Sequence, residues 1–474
     1  MNRHLIWFRN DLRTIDNSAL FMACQDPDVQ VMALYFITPQ QWQQHHVAGC
    51  RVEFELNTLR QLSLDLQQLG IPLTVLTTAN FDSQITDLAT FCQQQQITTV
   101  FYNKQYEVNE KQRDIKVEQC LQRQAIDCHA FDDQCVVAPR QILTQDGRFY
   151  SVFTPFKKAW LNHTQLYGFK VLPAPTVKTH KLNLQPSNIP HHIAGFTSHI
   201  DLSYWPAGEH AALQRLTNFC QSDIDNYKAL RDFPALNSTS QLSPYLAIGA
   251  ISARQCYQAA LNRAHSQGYN QGIEHWISEL VWREFYKHIL IGFDYVSKHK
   301  AFKQDTDALP WRHDKDDFER WCQGKTGFPL VDAAMRQLNT IGWMHNRLRM
   351  VAAMFLTKDL FIDWRWGERY FMEHLIDGDL AANNGGWQWS ASTGNDAAPY
   401  FRIFNPTRQS EKFDPEGDFI RQYLPELAHL DKHTIHEPYA NNQQHLFLDY
   451  PPPMVNHRQA TQDTVKHFQQ LKHN

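Results

Sequence analysis

Short apolar runs alternate with amphipathic stretches over the first quarter of the chain. HLIWF (4–8), VQVMALYF (29–36), PLTVLTT (72–78) and TTVFYN (98–103) are rich in β-branched and aromatic residues and read as strands. Between them, residues 53–69, 82–96 and 105–123 carry helical spacing. This order predicts an α/β fold with a doubly wound parallel sheet. No G-x-G-x-x-G follows any of these runs, so the usual dinucleotide clasp is not expected there.

From 134 to 205 the pattern dissolves. Pro173, Pro175, Pro186 and Pro190, among Ser, Thr, Asn and His, predict a long connector packed along the surface. From 206 onward the chain reads as helical. Ser252 and Gln255 form a capping box that opens ISARQCYQAALNRA. IEHWISELVWREFYKHILIG predicts a long helix stopped by Gly292, and NRLRMVAAMFLTKDL (346–360) predicts another. A short polar helix follows PPPM (451–454). The expected partition is an α/β part over 1–133, a connector over 134–205 and an all-α part over 206–474.

Composition narrows the class. At 474 residues the chain can bury a large core in two domains. A net charge of −4 excludes a globally basic nucleic-acid binder but not a local basic rim. Nine cysteines, an odd number with no C-x-x-C, argue against a zinc site or a disulfide framework and fit the cytoplasm. The start MNRHLIWFRNDLR meets charge too early for a signal peptide, and no apolar run would span a bilayer. Nine of the 13 tryptophans lie after residue 270, denser than core filling alone suggests.

The stretch 376–406, IDGDLAANNGGWQWSASTGNDAAPYFRIFNP, carries the most chemistry. Asp377, Asp379, Asn383 and Asn384 stand beside Gly385, Gly386, Trp387 and Trp389. Polar groups in so aromatic a setting suit a flat heteroaromatic ligand. Gly385 and Gly386 suggest a tight turn. In STSQLSPYL, Ser243 followed by Pro244 reads as an N-cap with Pro at the first helical position, a candidate diphosphate seat or simply a capped helix. Trp276, Glu279 and Arg283 share one helical face, as the floor of a cleft or as a solvated ion pair. Asn346, Arg349, Met350 and Ala353 share another, with Arg347 pointing elsewhere. An inward Arg349 needs an anion, for which Asp377 and Asp379 are candidates. Asn109, Glu110, Lys298 and His299 taken singly read as surface residues, and His45 with His46 lack a third metal ligand.

Together these segments resemble the DNA photolyase/cryptochrome family, in particular its class I, folate-type bacterial branch. The likeness runs nearly end to end through WFRNDLR, YNKQYEVNE, FTPFKKAW, RDFPA, TSQLSPYLAIG, ELVWREFY, GKTGFPLVDAAMRQL, GWMHNRLRM and the 376–406 stretch.

The resemblance implies repair of cyclobutane pyrimidine dimers in DNA by light-driven electron transfer from reduced FAD to a flipped-out dimer. It implies that Tyr227, Thr239, Ser240, Gln241, Leu242 and Ser243 hold the FAD phosphates. Trp276, Arg283, Asn346 and Arg349 would line the flavin pocket, with Asp377 and Asp379 at the ring edge and Asn383 at N5. Trp282 would stack on the dimer, Glu279 would hydrogen-bond it, and Asn346 and Met350 would complete the wall. Trp387, Trp364 and Trp311 match the family's tryptophan chain. Arg231, Arg347, Arg402 and Gln409 would contact DNA together with Glu279, Trp282 and Asn346. Asn109, Glu110 and Lys298 match a methenyltetrahydrofolate antenna site, although Ser297 stands where members of that branch carry Cys.

Two other activities belong to the same resemblance. A cryptochrome-like blue-light sensor is disfavoured by Trp282, Asn383 and the short tail. Repair of the (6-4) photoproduct expects histidines where Asn346 and Met350 stand, with His345 on a different face. Nothing indicates an oligomer, so a monomer is the default expectation.

Overall fold

The computed structural model describes residues 2–178, 182, 187–440 and 448–471; Pro186 of the expected connector lies outside them. Five strands, Arg3–Phe8 (β1), Gln30–Ile37 (β2), Leu73–Thr77 (β3), Thr99–Asn103 (β4) and Asp127–Phe131 (β5), form one parallel sheet in the order β3-β2-β1-β4-β5. The four expected strands are all present. β5 escapes the pattern because Asp127 and His129 break the short run DCHAF, none of whose residues is fully buried.

The continuous apolar runs have a physical cause: both faces of the sheet are covered. Ile6, Phe8, Val31 and Ala33 pack with Leu56, Leu59 and Leu62 of the helix Gly49–Gln68 on one side. Leu5, Trp7, Met32 and Leu34 pack with Leu88, Val117 and Leu121 of two helices on the other. The strand order reverses at β1, which opens a crevice at the carboxyl ends of the central strands.

The segment 134–205 is more than a connector. Phe153–Tyr167 is a helix that packs on the long helix Gln271–Gly292. Phe153, Phe156 and Trp160 form its buried stripe, and Trp160 Nε1 donates to Glu284 Oε2 at 2.7 Å. Three apolar anchors in one short stretch, amid polar neighbours, hide the period.

Among the described residues, everything after 206 that is regular is helical. The Ser252–Gln255 capping box is present, and the polar C-terminal helix spans His457–Gln470. Three local expectations change. Gly292 is the last residue of its helix rather than its stop, and Phe293 is the cap. The helix Asn346–Met354 gives way to a π-turn over Phe355–Asp359. Ser243 lies inside the single-turn helix Ser243–Ala247 and caps nothing; its Oγ accepts from Trp343 Nε1 at 3.1 Å.

Buried charge ties the sheet to the helices. Arg254 meets Asp16 at 2.9 Å and Asp133 at 2.7 Å, and Glu209 accepts from the Thr14 amide at 2.8 Å. Gly249 has a φ of 69°, and a Cβ there would lie 2.2 Å from Asn10 O, so only glycine allows this approach. Among the described residues, no helix is long and apolar enough to cross a membrane.

Candidate functional site

The helices Gln271–Gly292, Asn346–Met354 and Leu380–Ala391 enclose, with the segment 240–247 and the loop before Leu380, a cavity of about 520 Å³. Tyr227, Ser240, Leu242 and Ser243 line it at one end. Trp276, Glu279, Trp282 and Arg283 enter from the first helix, Asn346, Arg349 and Met350 from the second, and Asn383 and Trp387 from the third, with Asp377 and Asp379 between. Residues far apart in sequence therefore converge.

Thr239 and Gln241 do not border the cavity; the Gln241 side chain turns to Arg215 Nη1 at 2.9 Å and Asn237 Oδ1 at 3.0 Å. Arg402 and Gln409 lie outside it as well. Arg347 does line it, contrary to expectation, and its Nη2 pairs with Asp232 Oδ1 at 2.8 Å. Arg231 pairs with Glu279, so both rim cations already face acids.

Arg349 Nη2 meets Asp377 Oδ2 at 2.7 Å, the partnership that an inward arginine requires. The Asp377 side chain is only 2% exposed, and its Oδ1 has no hydrogen-bond partner. A buried acceptor in this condition has capacity for one more donor, from water or from a ligand in the cavity. Asp379 behaves differently. Its Oδ1 caps Leu380–Ala391 through the Ala382 amide at 3.0 Å, and its Oδ2 takes the Lys287 ammonium at 2.9 Å. Asn383 Nδ2 donates to Glu368 O at 2.9 Å.

Gly385 and Gly386 make no turn; both lie within Leu380–Ala391. A Cβ on Gly385 would come within 2.1 Å of Tyr286 Cδ1, so that glycine permits close helix packing. Gly386 borders the cavity, and a Cβ there would meet nothing within 4 Å, leaving ligand space.

Trp282 lies flat on Phe153, with centroids 3.5 Å apart and planes at 6°. Trp387 borders the cavity, whereas Trp364 and Trp311 lie behind it in the same apolar core. The indole N–H of each of these three has no acceptor within the protein. Sequence reasoning gives no pocket role to Trp343 and Lys287; Trp343 lines the cavity, as do Tyr286 and Trp389. The signal available for Lys287 is its place among Phe285, Tyr286, Ile289 and Leu290 in the last turns of the long helix. Among the described residues, no histidine lines this cavity; His345 is buried and caps its helix through the Arg347 amide.

A second cavity of about 750 Å³ occupies the crevice at the carboxyl ends of the strands and reaches the helical part. Asn109, Glu110 and Ser297 line it; Lys298 is exposed and does not, while its neighbour His299 does. His45 and His46 also line it. Burial pushes the Glu110 carboxyl up to about 8, with Glu107 adding and Arg113 opposing. Glu110 Oε2 and Ser297 Oγ are buried without partners. Burial also draws His45 down to about 4, and its Nδ1 lies 3.5 Å from Glu110 Oε1. Asp379 borders both cavities.

A parallel sheet packed against a helical body that holds a deep polar and aromatic cavity defines the photolyase/cryptochrome architecture. The sequence matches the family described as DNA photolyase over residues 4–178 and the FAD binding domain of DNA photolyase over residues 276–470. The chain belongs to the DNA photolyase family and carries its FAD-binding domain. It is 46% identical over 474 residues to the deoxyribodipyrimidine photo-lyase of Salmonella typhimurium, spanning 99% of each protein. Among solved structures it resembles a bacterial class III photolyase from Agrobacterium tumefaciens, with a TM-score of 0.88, 32% identity and coverage of 100% of this chain and 98% of that one. It also resembles a Synechocystis cryptochrome, with a TM-score of 0.88, 28% identity and coverage of 98% and 99%.

Proposed function

We propose that the chain repairs cyclobutane pyrimidine dimers in DNA, as the name of its Salmonella relative implies, with the 520 Å³ cavity holding both FAD and the extruded dimer. Reduced FAD, when bound, supplies the electron that splits the cyclobutane ring under light and takes it back. The observation that carries this reading is the joint presence, in one cavity, of a buried acceptor without a partner on Asp377 and an indole on Trp282 braced from behind by Phe153.

The chain's own part is positioning. Arg349 holds Asp377 in place, leaving Oδ1 to receive a donor from the flavin edge. Asn383, tethered to Glu368 O, would stand in the wall beside the flavin. Tyr227, Ser240, Leu242 and Ser243 would hold the phosphates, and Thr239 and Gln241, which do not border the cavity, would serve only by supporting that segment. Trp276 and Arg283 line the flavin end, and Asn346 and Met350 the dimer end. Trp282 stacks on the dimer and Glu279 hydrogen-bonds it once Arg231 is drawn to a phosphate. Arg347, Arg402 and Gln409 add backbone contacts, a local rim compatible with net charge −4. Trp387, Trp364 and Trp311, which share one apolar core, would supply a path for electrons toward a bound flavin.

The second cavity would take methenyltetrahydrofolate, with Asn109 and Glu110 in its wall and Lys298 outside it on the adjoining surface. The unpartnered Glu110 Oε2 and Ser297 Oγ supply hydrogen-bonding capacity there. The chain divides at about 133 and 205 into an antenna part, a linking segment whose helix Phe153–Tyr167 packs on the catalytic part, and the catalytic part itself, and works as a cytoplasmic monomer.

Illumination of the flavin-loaded, reduced protein with an oligonucleotide carrying one defined cyclobutane dimer tests the reading. Chromatography should show restored pyrimidines that depend on light. An intact dimer after illumination, with FAD bound, would overturn the repair reading and leave a light sensor.

A further inference from the structure

Lys287 is a lysine with a 2% exposed side chain in the C-terminal half of the helix Gln271–Gly292. That helix also carries Glu279, Trp282 and Arg283. A buried ammonium is costly unless paired, and Lys287 pairs with Asp379 Oδ2 at 2.9 Å. Asp379 is in turn the N-cap of Leu380–Ala391, the helix that carries Asn383 and Trp387. One carboxylate thus joins the cap of one helix to a cation on another.

We propose that Lys287 is a positioning residue of the repair site: by holding the Asp379 carboxylate in one orientation, it locks the helix of Asn383 and Trp387 against the helix of Trp282. The link to catalysis rests on the flavin reading above; the pairing itself does not. The geometry also separates the two acids of the loop. Asp377 keeps a free oxygen for a ligand, whereas both Asp379 oxygens are already engaged, one by the cap and one by Lys287.

The charges around Asp379 are few and can be named. Lys287 and Arg283 come from the long helix, and Asp377 with its partner Arg349 stands two residues away. Arg51, from Gly49–Gln68, donates to Gly378 O. Burial alone would raise the Asp379 carboxyl; Lys287, with Arg283 behind it, holds it well below the usual carboxylate range. Its contribution to stability is therefore present above the unfolded-state value and is lost only in strong acid.

Removing the ammonium reverses the sign. In Lys287→Met, ionised Asp379 is short of its counter-charge, and protonation relieves the deficit. The variant's loss of melting temperature should already be present near about pH 5, where the parent's pair is fully formed, and should grow further toward about pH 8. FAD release should follow the same trend, faster than in the parent by about tenfold at the higher pH, the ratio that one pKa unit of differential interaction confers. Lys287→Arg should restore most of the loss. The double variant Lys287→Met, Asp379→Asn should show no added pH dependence. A pure packing role predicts a loss independent of pH, and that result would overturn the proposal. If Lys287→Met does not fold, Asp379→Asn alone decides: parent-like melting and FAD retention would overturn the proposal. Melting of the FAD-stripped protein tests the pairing even where the flavin reading fails.

Discussion

Phe153 lies flat against Trp282, ring centroids 3.5 Å apart and planes 6° from parallel. Phe153 comes from the segment between sheet and helical body, so a residue far from the site in sequence braces the indole proposed to stack on the lesion. Trp282→Ala should weaken binding to dimer-containing DNA by about tenfold or more, since stacking on an aromatic contributes about 1–3 kcal/mol per base. FAD content should stay unchanged. Phe153→Ala should give a smaller loss in the same direction. Titration of damaged and intact duplexes measures both; equal discrimination in all three proteins would remove Trp282 from the stacking role.

Arg349 and Asp377 should fail together. Arg349→Ala leaves a buried carboxylate without its cation, which costs about 3 kcal/mol or more. The variant should melt lower and purify without flavin colour. Thermal melts with and without added FAD check this, and retention of full flavin absorbance would show that another group anchors Asp377.

Glu110 gives the second cavity a pH dependence. Its raised value means that the folded state prefers the protonated carboxyl, so stability is fully present below the unfolded value and declines as pH rises through about 8. Glu110→Gln should flatten that decline between about pH 5 and pH 8. It should also weaken folate retention. Melting curves across the range and the near-ultraviolet absorbance of the purified protein are the two measurements. An unchanged slope would place the titration on another group.

Trp364→Phe should suppress light-driven reduction of oxidised flavin while leaving repair intact once the flavin is reduced chemically. Trp364 is fully buried and does not border the cavity, which separates this role from lesion binding. Absorbance during illumination follows the reduction; undiminished photoreduction would exclude Trp364 from the path.

Arg347→Ala should lower the salt dependence of DNA binding by about 1 in logarithmic slope if the residue meets a phosphate. Its pairing with Asp232 at 2.8 Å sets a competitor, so Asp232→Asn should tighten binding. Affinities measured at several salt concentrations decide both.

Much of this site is legible in the amino-acid sequence. The apolar runs mark four strands because a parallel sheet covered on both faces leaves that pattern; β5 leaves none, because Asp127 and His129 interrupt its short run and none of its residues is fully buried. The need of Arg349 for an anion points to the loop acids, and Asp377 answers it. The glycine pair misleads because glycine serves close packing as readily as turns, and here Gly385 admits the Tyr286 ring. Glu110 taken singly reads as a surface residue because its local neighbours are polar; only the crevice at the strand ends buries it.

By itself the sequence determined the α/β-then-helical order, the family and most of the residues that meet in the first cavity, because periodicity and short motifs are local properties of the chain. The tertiary structure decided which of those residues have spare hydrogen-bonding capacity. Asp377 and Asp379 are two positions apart and chemically identical, yet one keeps a free buried oxygen and the other is consumed by a helix cap and Lys287. That difference depends on which distant helix packs over each carboxylate, a long-range relationship that no local pattern encodes.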